Sequence, residues 1–316
     1  MCNPSRHFNC YFYHFLLKLS YICFWLFNTR SMSFNFSELA FLGVPQKTIT
    51  LDNIRAVVEG DDTRRIAFAS SHAGALKKTD GNHGKIVLPF NDTIGVFIHA
   101  EIGRDVNLFS SKFRGFWRAI NSEEEFERFE AFIEKYRDVV FLRDNLDLSI
   151  ALSMNFEDDE EHTEIGDLEY RAKFQNDAVA EAELSKRCAE WIERLPYYKH
   201  ARYICAVPGE RGVKNLPARI VSTLDAFGFD DISQHVYWQN KTRKIKNAES
   251  VDEKLEILDD SCLAIDNDID LKGASVILFD DLYMSGLTMQ YLAMKLKERG
   301  ASRVLGLSIV KSRKNK

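Results

Sequence analysis

From Val276 to Phe279 every position is apolar, and the run ends on two adjacent carboxylates, Asp280 and Asp281. A continuous apolar run, as opposed to an alternating one, predicts a strand buried on both faces of a parallel sheet. A short loop of small and hydroxyl residues follows. Apolar positions then return at helical spacing, with Leu292, Ala293 and Leu296 inside a helix from Leu287 to Arg299 and Lys295, Lys297, Glu298 and Arg299 among its polar positions. Gly300 stops that helix, and a second apolar strand runs from Arg303 to Val310. The loop therefore lies at the carboxyl end of a strand, where open α/β sheets bind ligands.

Upstream, an amphipathic helix is predicted over Ala178–Leu195, then a strand over Ala201–Val207 and a turn at Val207-Pro208-Gly209. Before residue 157 the pattern changes to short β-like runs. Ile54–Val58, Arg65–Ser70, Lys85–Phe90 and Thr93–Ala100 read as strands, and Asn91-Asp92 as a hairpin turn between the last two. Ser122 with Glu125 gives a capping box opening a helix, whose apolar stripe is Phe126, Phe129, Phe132 or Ile133, and Tyr136. Val139–Leu142 and Leu146–Met154 read as further strands. Glu157-Asp158-Asp159-Glu160-Glu161 is a block of mutually repelling carboxylates that resists burial, and predicts a solvated linker. The expected organisation is a hydrophobic extension at 1–31, an α+β domain at 32–156, an acidic linker at 157–164 and an α/β domain at 165–316.

Composition narrows the class. The chain has 316 residues, 45% hydrophobic and 28% charged, with a net charge of −5 and a pI near 6.0. That is a soluble globular composition with no global basic field to draw nucleic acid or an anionic membrane. The short basic tail Lys311, Arg313, Lys314 and Lys316 reads as a solvated end. None of the six cysteines forms a Cys-x-x-Cys pair. Cys188, Cys205 and Cys262 fall in an expected helix and two strands as small apolar residues, which suits a reducing cytoplasm. Tyr11–Phe27 is nearly all aromatic or aliphatic but is interrupted by His14, Lys18 and Ser20. Three readings stay open for it: translation beginning at Met32, a membrane anchor or signal, and a buried helix. His72 and His83 lie near expected turns and read as satisfied loop histidines, not as part of a catalytic set.

The loop after Asp281 has the chemistry of a phosphate site beside a polyol site. Ser285 and Thr288 carry hydroxyls, Gly286 lets the backbone approach closely, and the helix start presents free N–H groups to an anion. Asp280 and Asp281 suit sugar hydroxyls or a hydrated Mg²⁺. Together these describe a ribose 5-phosphate.

At Asp280, Asp281, Ser285, Gly286 and Thr288 the segment resembles the PRPP-binding motif of type I phosphoribosyltransferases. Met284 departs from it, because the family usually places Thr or Ser there. Gly166–Asp177 is similar to the Lys-Tyr/Phe-x-Gly/Asn-Asp segment of ComF-like members, and Arg211-Gly212-Val213-Lys214-Asn215 to their Arg-Gly-Phe-Asn-Gln. The likeness covers about Ile165 to Lys311. It implies a type I phosphoribosyltransferase-like parallel sheet flanked by helices, with the smaller α+β domain before it. It implies a 5′-phosphate loop at Met284, Ser285, Gly286, Leu287 and Thr288, and ribose or Mg²⁺ contacts from Asp280 and Asp281. Pyrophosphate would lie at Pro208, Gly209, Arg211 and Lys214, under a mobile basic loop bearing Lys241, Arg243 and Lys244.

Two functions follow from that resemblance. One is an enzyme that takes PRPP with Mg²⁺ and passes ribose 5-phosphate to an acceptor, releasing pyrophosphate. The other is a non-catalytic sensor of PRPP or a nucleotide, acting in nucleic-acid metabolism through partners; Met284 and Glu210 favour it. The expected partners are the small molecule, a protein bound through residues 32–156, and a second copy of the chain. Direct nucleic-acid binding is not expected.

Overall fold

The protein is described here by a computed structural model, which covers residues 36–60, 64–69, 75–79, 82–103, 105–112, 115–157, 161–209, 215–224 and 228–315. Met1–Leu42 and Gly43–Lys316 are separate compact units. The described part of the first is a 3-10 turn, Phe36–Phe41, closed by the Leu42 N–H on Leu39 O at 3.2 Å. The expected extension at 1–31 lies outside the described residues.

The second unit is mixed α/β. Its large sheet contains β1 (Arg65–Ala67), β6 (Val140–Leu142), β7 (Leu148–Met154), β8 (Tyr203–Ala206), β9 (Asp230–Asp231), β12 (Ser275–Tyr283) and β13 (Arg303–Lys311). Their spatial order is β1-β6-β7-β13-β12-β8-β9. From β7 to β9 all neighbours run parallel; β6 runs antiparallel to β7 and to β1. The expected parallel sheet flanked by helices is present. A separate antiparallel sheet holds β2 (Ala75–Thr79), β3 (Asn82–Leu88), β4 (Phe109–Ser110) and β5 (Phe116–Ile120), and a ribbon pairs β10 (Val236–Trp238) with β11 (Leu263–Ile265).

The helices are α1 (Leu51–Gly60), α2 (Asp92–Glu101), α3 (Glu123–Lys135), α4 (Glu164–Phe174), α5 (Ala178–Arg194), α6 (Leu216–Val221), α7 (Val251–Asp260) and α8 (Leu287–Glu298). Side chains of α1, α7 and α8 share one apolar cluster with Val276 and Leu278 of β12. Ile277 and Phe279 are buried outside that cluster, as strand alternation requires, and α4 and α6 contact the strands as well.

Two expected strands are helices. Ile54 and Val58 lie four apart on α1 and are both buried; the Thr50 hydroxyl accepts the Asn53 N–H at 3.2 Å and starts the helix. Thr93–Ala100 lies within α2, buried from Thr93 through Ile98, and Asn91 precedes its first turn instead of making a hairpin. A continuous apolar run fits a buried helix as well as a buried strand, and here the helix packs against β6, where the Thr93 hydroxyl donates to Leu142 O at 2.7 Å. Cys262 is not in a strand. It follows α7 in a turn at φ +49° and is exposed.

The acidic block does not divide two domains. β7 lies before it in sequence and pairs with β13, so strands from both sides build one sheet. The chain returns through an isolated bridge between Phe156 and His162. Carboxylate repulsion keeps such a block in solvent but says nothing about which strands pair across it. The capping box is formed as expected: Glu125 N–H bonds Ser122 Oγ at 3.1 Å. Asn176, at φ +55°, turns the chain between α4 and α5, and Asp177 caps α5 by accepting the Val179 and Ala180 N–H groups.

Candidate functional site

Alternation along β12 sends its two carboxylates to opposite faces. Asp281 points toward α4, where Lys173 Nζ lies 3.0 Å from Asp281 Oδ2 and 3.2 Å from Glu169 Oε1. Asp280 keeps the parity of Val276 and Leu278, and the charge of Lys241 acts on it there. Its Oδ1 accepts the Asp281 N–H at 3.0 Å. Burial first, and the Asp281 charge second, push the Asp280 carboxyl well above the usual carboxylate range. Burial likewise raises Glu169. Burial works against the Lys173 ammonium, yet Asp281 and Glu169 outweigh it and hold its pKa above the ordinary lysine value.

The chain then turns through Met284, Ser285 and Gly286. Gly286 sits at φ +72°, and a Cβ there would come within 2.1 Å of the Tyr283 hydroxyl, so no other residue fits without displacing that ring. Tyr283 is buried, and its Oη donates to Asp144 Oδ2 at 2.9 Å. Arg64, also buried, donates from Nη1 to Ser285 O at 3.0 Å. The turn is thus fixed from below by a phenol and from the side by a guanidinium.

Beyond it, α8 begins without a side-chain cap. Ser285 Oγ accepts the Leu287 N–H at a long 3.4 Å, and the first helical bond is Gln290 N–H to Gly286 O. The N–H groups of Thr288 and Met289 have no acceptor among the described residues. At the start of this twelve-residue helix, at the carboxyl edge of the sheet, two backbone donors are thus left over, an arrangement that favours an anion.

On the neighbouring strand, the Val207 N–H bonds Phe279 O at 2.8 Å, which sets the turn after β8 beside Asp280. Asn215 holds that turn: its Nδ2 donates to Val207 O at 3.0 Å while its Oδ1 caps α6 on the Ala218 N–H. Trp238 Nε1 donates to Pro208 O at 2.9 Å.

No protein-family model matches the chain, and no curated protein does. Among solved structures it is similar to hypoxanthine phosphoribosyltransferases. One from Trypanosoma cruzi is 15% identical over 48% of this chain and 71% of that one, at a TM-score of 0.28. A hypoxanthine-guanine enzyme from L. donovani is 13% identical over 41% and 68%, at 0.27. At these values the likeness assigns neither activity nor substrate to this chain.

The structure brings Met284, Ser285, Gly286, Leu287 and Thr288 together with Asp280, Asp281, Pro208 and Gly209 along one sheet edge. Arg211 and Lys214 lie outside the described residues. Met284 is 45% exposed at the loop tip, and its thioether has no hydroxyl to give the cradle. In the basic segment, Arg243 pairs with Glu253, in the first turn of α7, at 2.9 Å. The neutralising acid comes from the next helix, outside the segment. Lys241 lies 5.7 Å from the Trp238 ring centre, over its face, and Lys244 is exposed.

Four participants carried weak sequence signals. Lys173 falls in the segment similar to ComF-like members but with no sign of its ion pair, Glu169 shows only i,i+4 spacing to it, and Tyr283 and Arg64 carry no local signal of their roles. Among the described residues one histidine–carboxylate group has metal-ligand spacing, His235 with Asp266 and Asp268. His162 instead bonds Asn155 and stacks on Phe156. No helix among the described residues is long and apolar enough to cross a membrane.

Proposed function

We propose that the chain is a phosphoribosyltransferase that takes PRPP with Mg²⁺ and passes ribose 5-phosphate to an acceptor. The observation carrying this reading is the pair of free amides at Thr288 and Met289, one turn beyond the Asp280–Asp281 carboxylates. A phosphate monoester fits the first and a vicinal diol the second. The 5′-phosphate would sit on Gly286–Met289, with the Ser285 and Thr288 hydroxyls as further donors. Asp280 would accept from the ribose hydroxyls. Asp281 is committed to Lys173, so its part is to orient α4 against the sugar.

The pyrophosphate of PRPP would lie between the Pro208-Gly209 turn and Lys241. In the reaction the C1–oxygen bond to pyrophosphate breaks with its electron pair leaving on oxygen. A bond from C1 to the acceptor atom forms, and the acceptor's proton passes to solvent. The residues position and neutralise; none attacks covalently. The donor set suits Mg²⁺, a hard cation that is held by one or two carboxylates together with substrate oxygens: Asp280 would offer one carboxylate oxygen beside the bound diol. Bound there, Mg²⁺ would neutralise the departing pyrophosphate.

A second reading, a non-catalytic sensor of PRPP or a nucleotide, gains support from the exposed Met284 and from the Asp281–Lys173 ion pair. Pyrophosphate release from PRPP across a panel of acceptors separates the two. Release stimulated by one acceptor supports the transferase; tight PRPP binding with no release from any supports the sensor.

A further inference from the structure

Three side chains suited to a metal ion meet at one end of the two-stranded ribbon. His235 ends a 3-10 turn, Ser233–His235, and leads directly into β10; Asp266 directly follows β11. The ladder pairs Val236 with Ile265, and the Asp266 N–H continues it by donating to His235 O at 3.0 Å. The backbone therefore holds these two residues side by side. Asp266 Oδ2 lies 3.1 Å from His235 Nδ1, and Oδ1 of Asp268, two positions on, lies 3.8 Å from the same nitrogen. All three ligand atoms are within 4.8 Å of one another.

These spacings fit a small cation. Ligand atoms about 2.0–2.2 Å from a tetrahedral Zn²⁺ stand roughly 3.3–3.6 Å apart, between the two distances observed. Nδ1 carries at most one proton and bonds one carboxylate through it, which leaves the second carboxylate facing the first. The Arg299 guanidinium nearby bonds Asp266 O at 3.4 Å and Asn267 Oδ1 at 2.9 Å, and neither carboxylate. The other ring nitrogen has its partner too. The Gln234 side-chain amide lies 3.3 Å from His235 Nε2 and, with its oxygen turned inward, accepts Nε2–H, the kind of bond that orients a metal-ligating imidazole.

We propose that His235 Nδ1, Asp266 Oδ2 and Asp268 Oδ1 bind a Zn²⁺ ion, with water in the fourth position. The imidazole ligand sets this site apart from Asp280, whose carboxylate suits Mg²⁺. The proposal does not depend on the transferase reading. A ribbon of three residues per strand is marginally stable by itself. The ion fastens one end of it; at the other end Trp238 is tied to Pro208 O, with Lys241 over its ring.

The test is calorimetry on the full chain, stripped with EDTA and desalted, then titrated with Zn²⁺ alone and with Zn²⁺ in excess Mg²⁺. Co²⁺, followed by visible absorption, reads the coordination. Asp268→Asn and His235→Gln are compared with the parent. The Asp268 side chain is 70% exposed, so Asp268→Asn without metal should melt with the parent. Zn²⁺ should bind the parent and raise its melting temperature, and excess Mg²⁺ should leave the isotherm unchanged. Co²⁺ should give the intense visible bands of a four-coordinate ion. Each variant should bind Zn²⁺ at least about tenfold more weakly and lose those bands. Zn²⁺ affinity unchanged in either variant overturns the proposal, as does a flat isotherm in the parent or one abolished by Mg²⁺.

Discussion

The Tyr283 hydroxyl donates to Oδ2 of the buried Asp144, tying the end of β12 to the connection between β6 and β7. Asp144 Oδ1 also accepts the Leu146 N–H at 3.0 Å, and Lys47 Nζ reaches Asp144 O. The ring that makes this bond lies directly under Gly286. The position of the Met284–Gly286 turn is therefore set by a residue far from it in sequence.

Tyr283→Phe leaves one oxygen of a buried carboxylate without its donor. The expected loss of stability is about 1–3 kcal/mol. Chemical denaturation measures it, and an unchanged midpoint would show that water or a neighbour replaces the phenol.

Gly286→Ala meets two obstacles: a positive φ, and a Cβ within 2.1 Å of the Tyr283 hydroxyl. The turn must shift, and the amides of Thr288 and Met289 shift with it. Ribose 5-phosphate binding should fall at least about tenfold, with a stability cost of about 1 kcal/mol or more. Unchanged affinity by calorimetry would remove the turn from the site.

Asp280 carries a pH signature. Its folded pKa is raised, so between the unfolded value, near 3.8, and the raised value the folded state binds more protons than the unfolded one. Stability from this group therefore falls as pH rises through that window. Asp280→Asn should be at least as stable as the parent at neutral pH, lose that slope, and bind PRPP more weakly. A variant that melts lower at neutral pH would mean that the ionised carboxylate is structural.

Lys311 behaves in the opposite sense. Burial, then Arg65 and Arg64, lower its pKa from 10.5 to about 6. Between those values the unfolded state binds more protons, so stability rises with pH through the window. Lys311→Met should flatten the rise in melting temperature between about pH 6 and pH 10. A variant with the parent's slope would place the titration elsewhere.

The sheet and its loop were legible because the apolar runs of β12 and β13 are long and the loop between strand and helix is short. The helix at Thr93–Ala100 was not, since a buried helix and a buried strand share the same unbroken apolar pattern. The pairing of β7 with β13 was invisible as well: parallel pairing joins segments with no local signal linking them. In the site, the carboxylates and the glycine were readable from local sequence. The ion pair of Asp281 with Lys173 was not, because it depends on the angle at which α4 crosses the sheet.

The central claim is that the turn Ser285–Thr288 and Asp280 hold a ribose 5-phosphate. Calorimetry of the full chain with ribose 5-phosphate and with PRPP plus Mg²⁺, beside Gly286→Ala and Asp280→Asn, tests it most directly. The expected result is saturable one-to-one binding of both ligands, weakened at least about tenfold in each variant. Absence of binding to the parent chain, or equal binding in all three proteins, would contradict the account.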